Sequence, residues 1–338
     1  VEVSFHWARV FILLLFLFSL GLAIPLFVGG LEVITVLSTL PYWTAPLLFL
    51  VMVLAWNLNL LRLCVLLDGQ VNNLGYWKIM RIYMATEFVS KTTPMGVGAP
   101  AAAVSLLAPH GVKPISCLVI FGVSACMDAI VLVCLIGFFA VGELTMTLGA
   151  NLVTGVSFIS AFMLTAIACM ALLLYHHKLL FYLLLHMPGF SLIGQKGKKN
   201  AGKLIVSLHR TLKRISELAL WRLFLSWSAC LLYWGVCLST LYLCIWMLGG
   251  GVSWLESSFI QTIAMGVGHL LMVPGGAGGA EVSGTLLLEP KLGATTAAAA
   301  IMLWRFLMLY LYLVVGGVSL LSLGVGAISY GKEKRANL

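Results

Sequence analysis

Val273-Pro274-Gly275-Gly276-Ala277-Gly278-Gly279-Ala280-Glu281 breaks an apolar stretch in the second half of the chain. At the matching place in the first half stands Thr93-Pro94-Met95-Gly96-Val97-Gly98. Proline lacks the backbone donor a helix needs, and glycine admits backbone conformations a helix does not use. Each tract therefore interrupts a helix, and each is followed by small residues and then by a long hydrophobic span. Paired Gly/Pro-broken segments in two halves of a membrane protein are the sequence pointer to a site built from discontinuous helices.

The residues around the breaks place them in a bilayer. Hydrophobic residues make up 62% of the 338 and charged residues 9%, with a mean hydropathy of +1.08, more apolar surface than a soluble domain of this length can bury. Short alternating apolar and polar segments are lacking, which argues against a membrane barrel. Full spans are legible at 8–28, 44–67, 114–142, 149–175, 220–248 and 295–325. The first lacks a small-residue cleavage site and is expected to be a retained helix.

Segments 76–108 and 257–288 are each about one span long and broken in the middle. Irregular backbone at membrane depth survives only where protein or a wet cavity satisfies it, so each reads as a re-entrant hairpin. On that topology one side receives Arg9, Lys78, Arg81, Lys113, the segment 176–222 and the tail Lys332–Arg335. The other receives Glu32, Glu143, Glu256 and Glu289, with Lys291 as its base. The positive-inside rule then places both termini in the cytoplasm, and a cell (plasma) membrane is the expected location.

The expected fold is all-α: a polytopic membrane protein of about six transmembrane helices plus two re-entrant hairpins, as a single membrane domain over 1–338. Residues 44–142 form a first repeat with hairpin 76–108, and 220–325 a second with hairpin 257–288. The span 149–175 between them inverts the second, so the hairpin tips are expected to meet near the bilayer midplane. The linker 176–219 carries Lys203, Arg210, Lys213 and Arg214 among Leu204, Ile205, Leu208, Leu212, Ile215 and Leu218. It suits a basic amphipathic helix on an anionic leaflet, or a charged linker that enforces topology. The net charge of +9 comes mostly from this segment and the tail, so it does not argue for nucleic acid.

Charges at membrane depth mark functional sites by default. Glu87 and Lys91 share a helix face before the first break and are placed to pair. Lys91, Thr92 and Thr93 lie at the tip, just before a helix that starts near Gly98 and whose N-terminus can hold a phosphate. Glu281 lies in the first turn after the second break, as a cap or as the partner of a base. His269 reads as a packing histidine. Asp128 and Arg305 sit mid-span in corresponding helices, where they either lock to each other or line a cavity. Arg305, with its bidentate fork, is the prime candidate for a phosphodiester.

Asn57, Asn59 and the pair Thr295-Thr296 read as helix–helix hydrogen-bonding groups. The eight cysteines stand in apolar contexts and are expected to pack, not to bind metal. No nucleophile–base set, P-loop, metalloprotease or dinucleotide motif is present, so no enzymatic activity is expected.

The stretch Pro274–Glu281, followed by Leu303-Trp304-Arg305-Phe306 and Gly316-Gly317, resembles the C-terminal half of the lysylphosphatidylglycerol synthase transmembrane region family. Pro94-x-Gly96-x-Gly98, Gly111-Val112 and Ser124-Ala125-Cys126-Met127-Asp128 are similar to its earlier motif. Gly96, Ala99 and Pro100 are uncharged where that motif usually carries basic and acidic residues. The resemblance implies a flippase-like protein that moves a phospholipid or polyprenyl-phosphate-type lipid between leaflets. Its implied partner is a membrane lipid, anionic or aminoacylated or a polyprenyl phosphate, with a homodimer left open and no cofactor or metal. No soluble aminoacyl-transferase domain is legible in these residues, so synthesis of lysyl-lipid is not expected. An intramembrane transferase acting on a lipid-phosphate carrier and a solute or ion carrier are the alternatives. The expected binding residues are Glu87, Lys91, Thr93, Gly96, Gly98, Asp128, Pro274, Gly275, Gly276, Gly278, Glu281 and Arg305.

Overall fold

The computed structural model describes residues 23–71, 73–141 and 217–336, with scattered residues at 19–21 and 206–215. Most of the span 8–28, all of 149–175 and nearly all of the linker 176–219 lie outside the described residues. Among those described the secondary structure is helical throughout, with no strand.

A short helix α1 (Glu32–Ser38) precedes α2 (Thr44–Leu66), α3 (Tyr76–Thr92), α4 (Ala99–Leu107) and α5 (Pro114–Val141). The second half holds α6 (Leu220–Met247), α7 (Trp254–Leu270), α8 (Gly279–Leu292), α9 (Ala294–Arg305) and α10 (Leu311–Ala336). Among the described residues four helical stretches are long and apolar enough to cross a membrane: Thr44–Leu66, Pro114–Cys134, Leu220–Met247 and Ala294–Leu323. They coincide with four of the expected spans.

Both broken segments are helix–break–helix. Between α3 and α4 the chain makes a 3-10 turn at Pro94–Gly96, and between α7 and α8 another at Pro274–Gly276. Proline opens each turn, where its fixed φ fits and its missing N–H costs nothing. The next residue is left-handed in both, Met95 at φ 52° and Gly275 at φ 62°. Glu256 at the start of α7 and Lys291 near the end of α8 form an ion pair, so the arms of the second hairpin finish at one level.

The described helices fall into two compact units. One comprises residues within Val1–Asn57, Leu74–Leu106 and Gly235–Leu338, and the other those within Leu58–Asn73 and Leu107–Trp234. In the first unit the two 3-10 turns pack against each other, and α10 runs along α3. Gly316 permits that approach: a Cβ there would lie 2.4 Å from the Met84 carbonyl oxygen and 2.8 Å from Phe88 Cβ. Small residues at such contacts let helix backbones close up where no hydrophobic force drives association. Phe88, Ala277, Leu309, Tyr310 and Leu313 form an apolar cluster that ties the tips to this helix. Gln261, fully buried on α7, donates to the Cys237 carbonyl at 2.9 Å and accepts from the Leu241 amide at 3.4 Å, fixing α7 to α6.

Between α9 and α10 the helix widens into a π turn at Phe306–Tyr310, which the apolar sequence does not announce. Such bulges inside α-helices concentrate at functional sites. This one begins immediately after Arg305.

The second unit is held by a polar knot. Arg62 on α2, buried, binds the Asp128 carboxylate of α5 through both terminal nitrogens, Nη2 to Oδ2 at 3.1 Å. Asn59 Oδ1 accepts from Arg62 Nη2 at 2.6 Å, and Trp234 Nε1 donates to Asp128 Oδ1 at 2.9 Å. A buried ion pair needs this many satisfied hydrogen bonds to offset its desolvation.

Candidate functional site

The two hairpin tips enclose a cavity of about 100 Å³, lined from α3, α7, α8, α9 and both breaks. A water molecule's share of liquid volume is about 30 Å³, so the space suits a group the size of a phosphate and not a whole lipid. Ser90, Lys91, Thr93 and Gly96 come from the first broken segment. His269, Gly275 and Gly276 come from the second, and Trp304 and Arg305 from the helix that follows. Met95, Met265 and Met308 supply flexible apolar wall.

Each tip is braced internally. Thr93 Oγ1 donates to the Val89 carbonyl at 2.8 Å and accepts from the Gly98 amide at 3.1 Å. In the second hairpin Glu281 takes the corresponding part, its Oε2 accepting from the Gly278 amide at 2.8 Å. At the helix start near Gly98, where a phosphate is expected, the Thr93 bond commits one of the amides. Thr93 already occupies the Gly98 amide, as a cap side chain does.

Arg305 is nearly fully buried beside the cavity. Its Nε donates to Glu281 Oε1 at 2.8 Å and its Nη2 to the Gly275 carbonyl at 2.9 Å. Glu281 has no exposed surface. The glycine carbonyl is available because the left-handed Gly275 turns it toward α9. A Cβ at Gly275 would lie 2.7 Å from Leu309 Cδ1 and 3.3 Å from the Lys91 carbonyl oxygen, so a larger residue would have to displace Leu309 and hold a left-handed backbone. Lys91 places its ammonium 5.2 Å from the Tyr312 ring centroid, a cation–π contact that holds the charge at the cavity without neutralising it.

The lock between Asp128 and Arg305 is corrected. Arg305 pairs with Glu281, and Asp128 with Arg62, a residue the sequence reading passed over. A charge inside the apolar run Thr44–Leu66 was visible by the rule that singled out Asp128. Of the expected residues, the cavity brings together Lys91, Thr93, Gly96, Gly275, Gly276 and Arg305. Gly98, Gly278 and Glu281 stand behind the lining as its brace. Glu87, half-buried on α3, and Pro274 at the head of its turn are not in the lining, and Asp128 belongs to the other unit.

His269, expected to be a packing residue, lines the cavity and is exposed, with Nδ1 2.6 Å from the Met265 carbonyl oxygen. Ser90 and Trp304 also escaped the sequence reading. Asn57 does bridge segments, accepting from the Tyr76 hydroxyl at 2.7 Å, and Thr295 donates to the Gly29 carbonyl at 3.2 Å. The described cysteines are free thiols, and no cluster of metal-ligating side chains occurs among the described residues.

No curated protein matches the chain. The model of one protein family, described as the lysylphosphatidylglycerol synthase transmembrane region, matches residues 6–316. Nearly the whole chain is covered, including both broken hairpins and the cavity between them. The chain therefore belongs to the lysylphosphatidylglycerol synthase transmembrane region family, and is a membrane protein of the synthase/flippase type.

Proposed function

We propose that the protein is a lipid translocase that carries a phosphate-bearing lipid between leaflets, with its headgroup site at the hairpin tips. One observation carries this reading: Lys91, beside the first break, and Arg305, on the helix that follows the second, reach the same small cavity, whose lining among the described residues contains no carboxylate. Ionisable groups at membrane depth are costly, and discontinuous helices meeting at the midplane are the usual place for a transported ligand. In this reading the hairpins enter from opposite sides as an inverted repeat, both termini are cytoplasmic, and the chain performs no bond chemistry.

The headgroup phosphate would sit against Lys91 and Arg305 while the acyl chains remain in the bilayer. Gly275 and Gly276 keep the wall thin so that backbone can approach the headgroup. Glu281 fixes the Arg305 fork and takes up its charge, leaving Lys91 as the uncompensated cation of the lining.

Reconstitution into liposomes containing acyl-labelled phosphatidylglycerol tests the proposal. Dithionite quenching should reveal inner-leaflet lipid becoming accessible faster than in protein-free vesicles. Lys91→Gln should slow that exchange by about tenfold, as loss of one charge-assisted contact implies. A rate equal to that of empty vesicles, or an unchanged rate in Lys91→Gln, would sink the reading.

A further inference from the structure

The cavity's charged and fully buried hydrogen-bonding groups are donors. Trp304 is fully buried in the lining, and its Nε1 has no hydrogen-bond partner among the described residues. Indole nitrogen is a donor only, and buried donors are almost always satisfied, so this one calls for an acceptor. Lys91 and Arg305 are donors only as well. Arg305 commits Nε and Nη2 to Glu281 and Gly275, and Nη1 makes no hydrogen bond among the described residues. His269, whose Nδ1 donates to the Met265 carbonyl, presents its other ring nitrogen to the cavity side as an acceptor in the neutral tautomer, and Ser90 has a hydroxyl that serves either way.

The charges point the same way. Glu281 is not in the lining, and its two oxygens are engaged by the Gly278 amide and Arg305 Nε, so it offers no carboxylate to an ammonium in the cavity. Glu87 lies one helical turn behind Lys91, about 6 Å along α3, and is not in the lining. What remains at the cavity surface is the positive charge of Lys91, with the donors of Trp304 and Arg305 outweighing the neutral acceptors of His269 and Ser90, and no carboxylate among the lining residues.

We infer that this site selects an anionic phosphate group that carries no compensating amine, and rejects aminoacylated headgroups. Resting on the translocase reading, this names its substrate class as an anionic phospholipid or another lipid phosphate. A phosphate supplies oxygen acceptors for Lys91 and for a donor such as Trp304 Nε1. A lysyl ester adds two protonated amines, reverses the sign of the headgroup charge and brings further donors to a lining that lacks a carboxylate.

The test is equilibrium binding to the purified full chain in detergent, with three probes: dihexanoyl-phosphatidylglycerol, its lysyl ester and inorganic phosphate. The anionic lipid should bind at least about tenfold more tightly than the ester, the ratio expected for one charge-assisted contact. Lys91→Glu should invert that preference, and Trp304→Phe should weaken the anionic lipid severalfold. Wild-type protein alone decides the matter if either variant fails to fold. Equal or tighter binding of the lysyl ester overturns the inference, as does failure of all three probes to bind. If inorganic phosphate binds as tightly as the lipid, anion selectivity stands but its source is a free ion, and the translocase reading falls. Selective lipid binding without translocation likewise removes only the translocase reading.

Discussion

Arg305 and Glu281 form a buried pair 24 residues apart in sequence, with Nε 2.8 Å from Oε1, and the two side chains do different jobs at the same cavity. Glu281 faces inward, capping the Gly278 amide. Arg305 reaches the lining and ties down the Gly275 carbonyl. The pair thus connects the shape of the second tip to the charge of the cavity.

Removing one member should be far worse than removing both. Glu281→Gln leaves a nearly buried guanidinium without its counter-charge, and Arg305→Met leaves a sealed carboxylate. Each should destabilise the fold by about 3–5 kcal/mol in detergent unfolding, whereas the double variant should recover much of that loss. Binding of the anionic lipid should not recover with stability in the double variant. Recovery of both together would make the pair purely structural.

The breaks differ at the residue after the proline, and this predicts an asymmetry. Gly275 and Met95 both follow the proline and are both left-handed. A left-handed side chain costs roughly 1–2 kcal/mol, and at Gly275 it would also collide with Leu309. Gly275→Ala should therefore lower the unfolding free energy by at least about 1–2 kcal/mol. Met95→Gly should be near neutral or stabilising, because strain relief offsets the added freedom of the unfolded chain. Paired thermal-shift measurements suffice, and equal losses in both variants would show that tip conformation is not the limiting factor.

Those breaks were legible because their cause is local. Proline and glycine act through their own backbones, so Pro94–Gly98 and Pro274–Gly279 could be placed without knowing the fold. The partners of the charged residues were not, since which helices meet is decided by packing. Asp128 and Arg305 both stand in long apolar helical stretches, yet each found a different partner, Arg62 and Glu281. The π turn at Phe306–Tyr310 leaves no mark in an apolar run, and the unsatisfied Trp304 Nε1 emerges only once its surroundings are known.

Gly316→Leu should separate α10 from α3. The added side chain meets the Met84 carbonyl, which is backbone and cannot swing aside. Because α10 carries Tyr312, whose ring holds Lys91, the shift should also weaken anionic-lipid binding. We expect a loss of about 1–3 kcal/mol in stability, the usual result of overpacking a close contact. Gly317, whose Cβ would stand 3.4 Å from the Phe88 ring, should accept alanine with little change. Similar losses at the two glycines would refute the close-approach account.

Asp128 provides the contrasting case. It is bound by Arg62 through both terminal nitrogens and by Trp234, and it is not part of the cavity lining. Arg62 is nearly fully buried, so Asp128→Ala strands its charge and should cost about 3–5 kcal/mol, while Arg62→Met/Asp128→Leu should be much better tolerated. Lipid affinity separates structure from recognition here. In the double variant, provided it remains folded, the affinity for dihexanoyl-phosphatidylglycerol should match that of the parent protein, because no group facing the cavity has changed. A tenfold loss of affinity in a stable double variant would instead give the Arg62–Asp128 knot a share in the ligand site, and the hairpin cavity would no longer account for recognition alone.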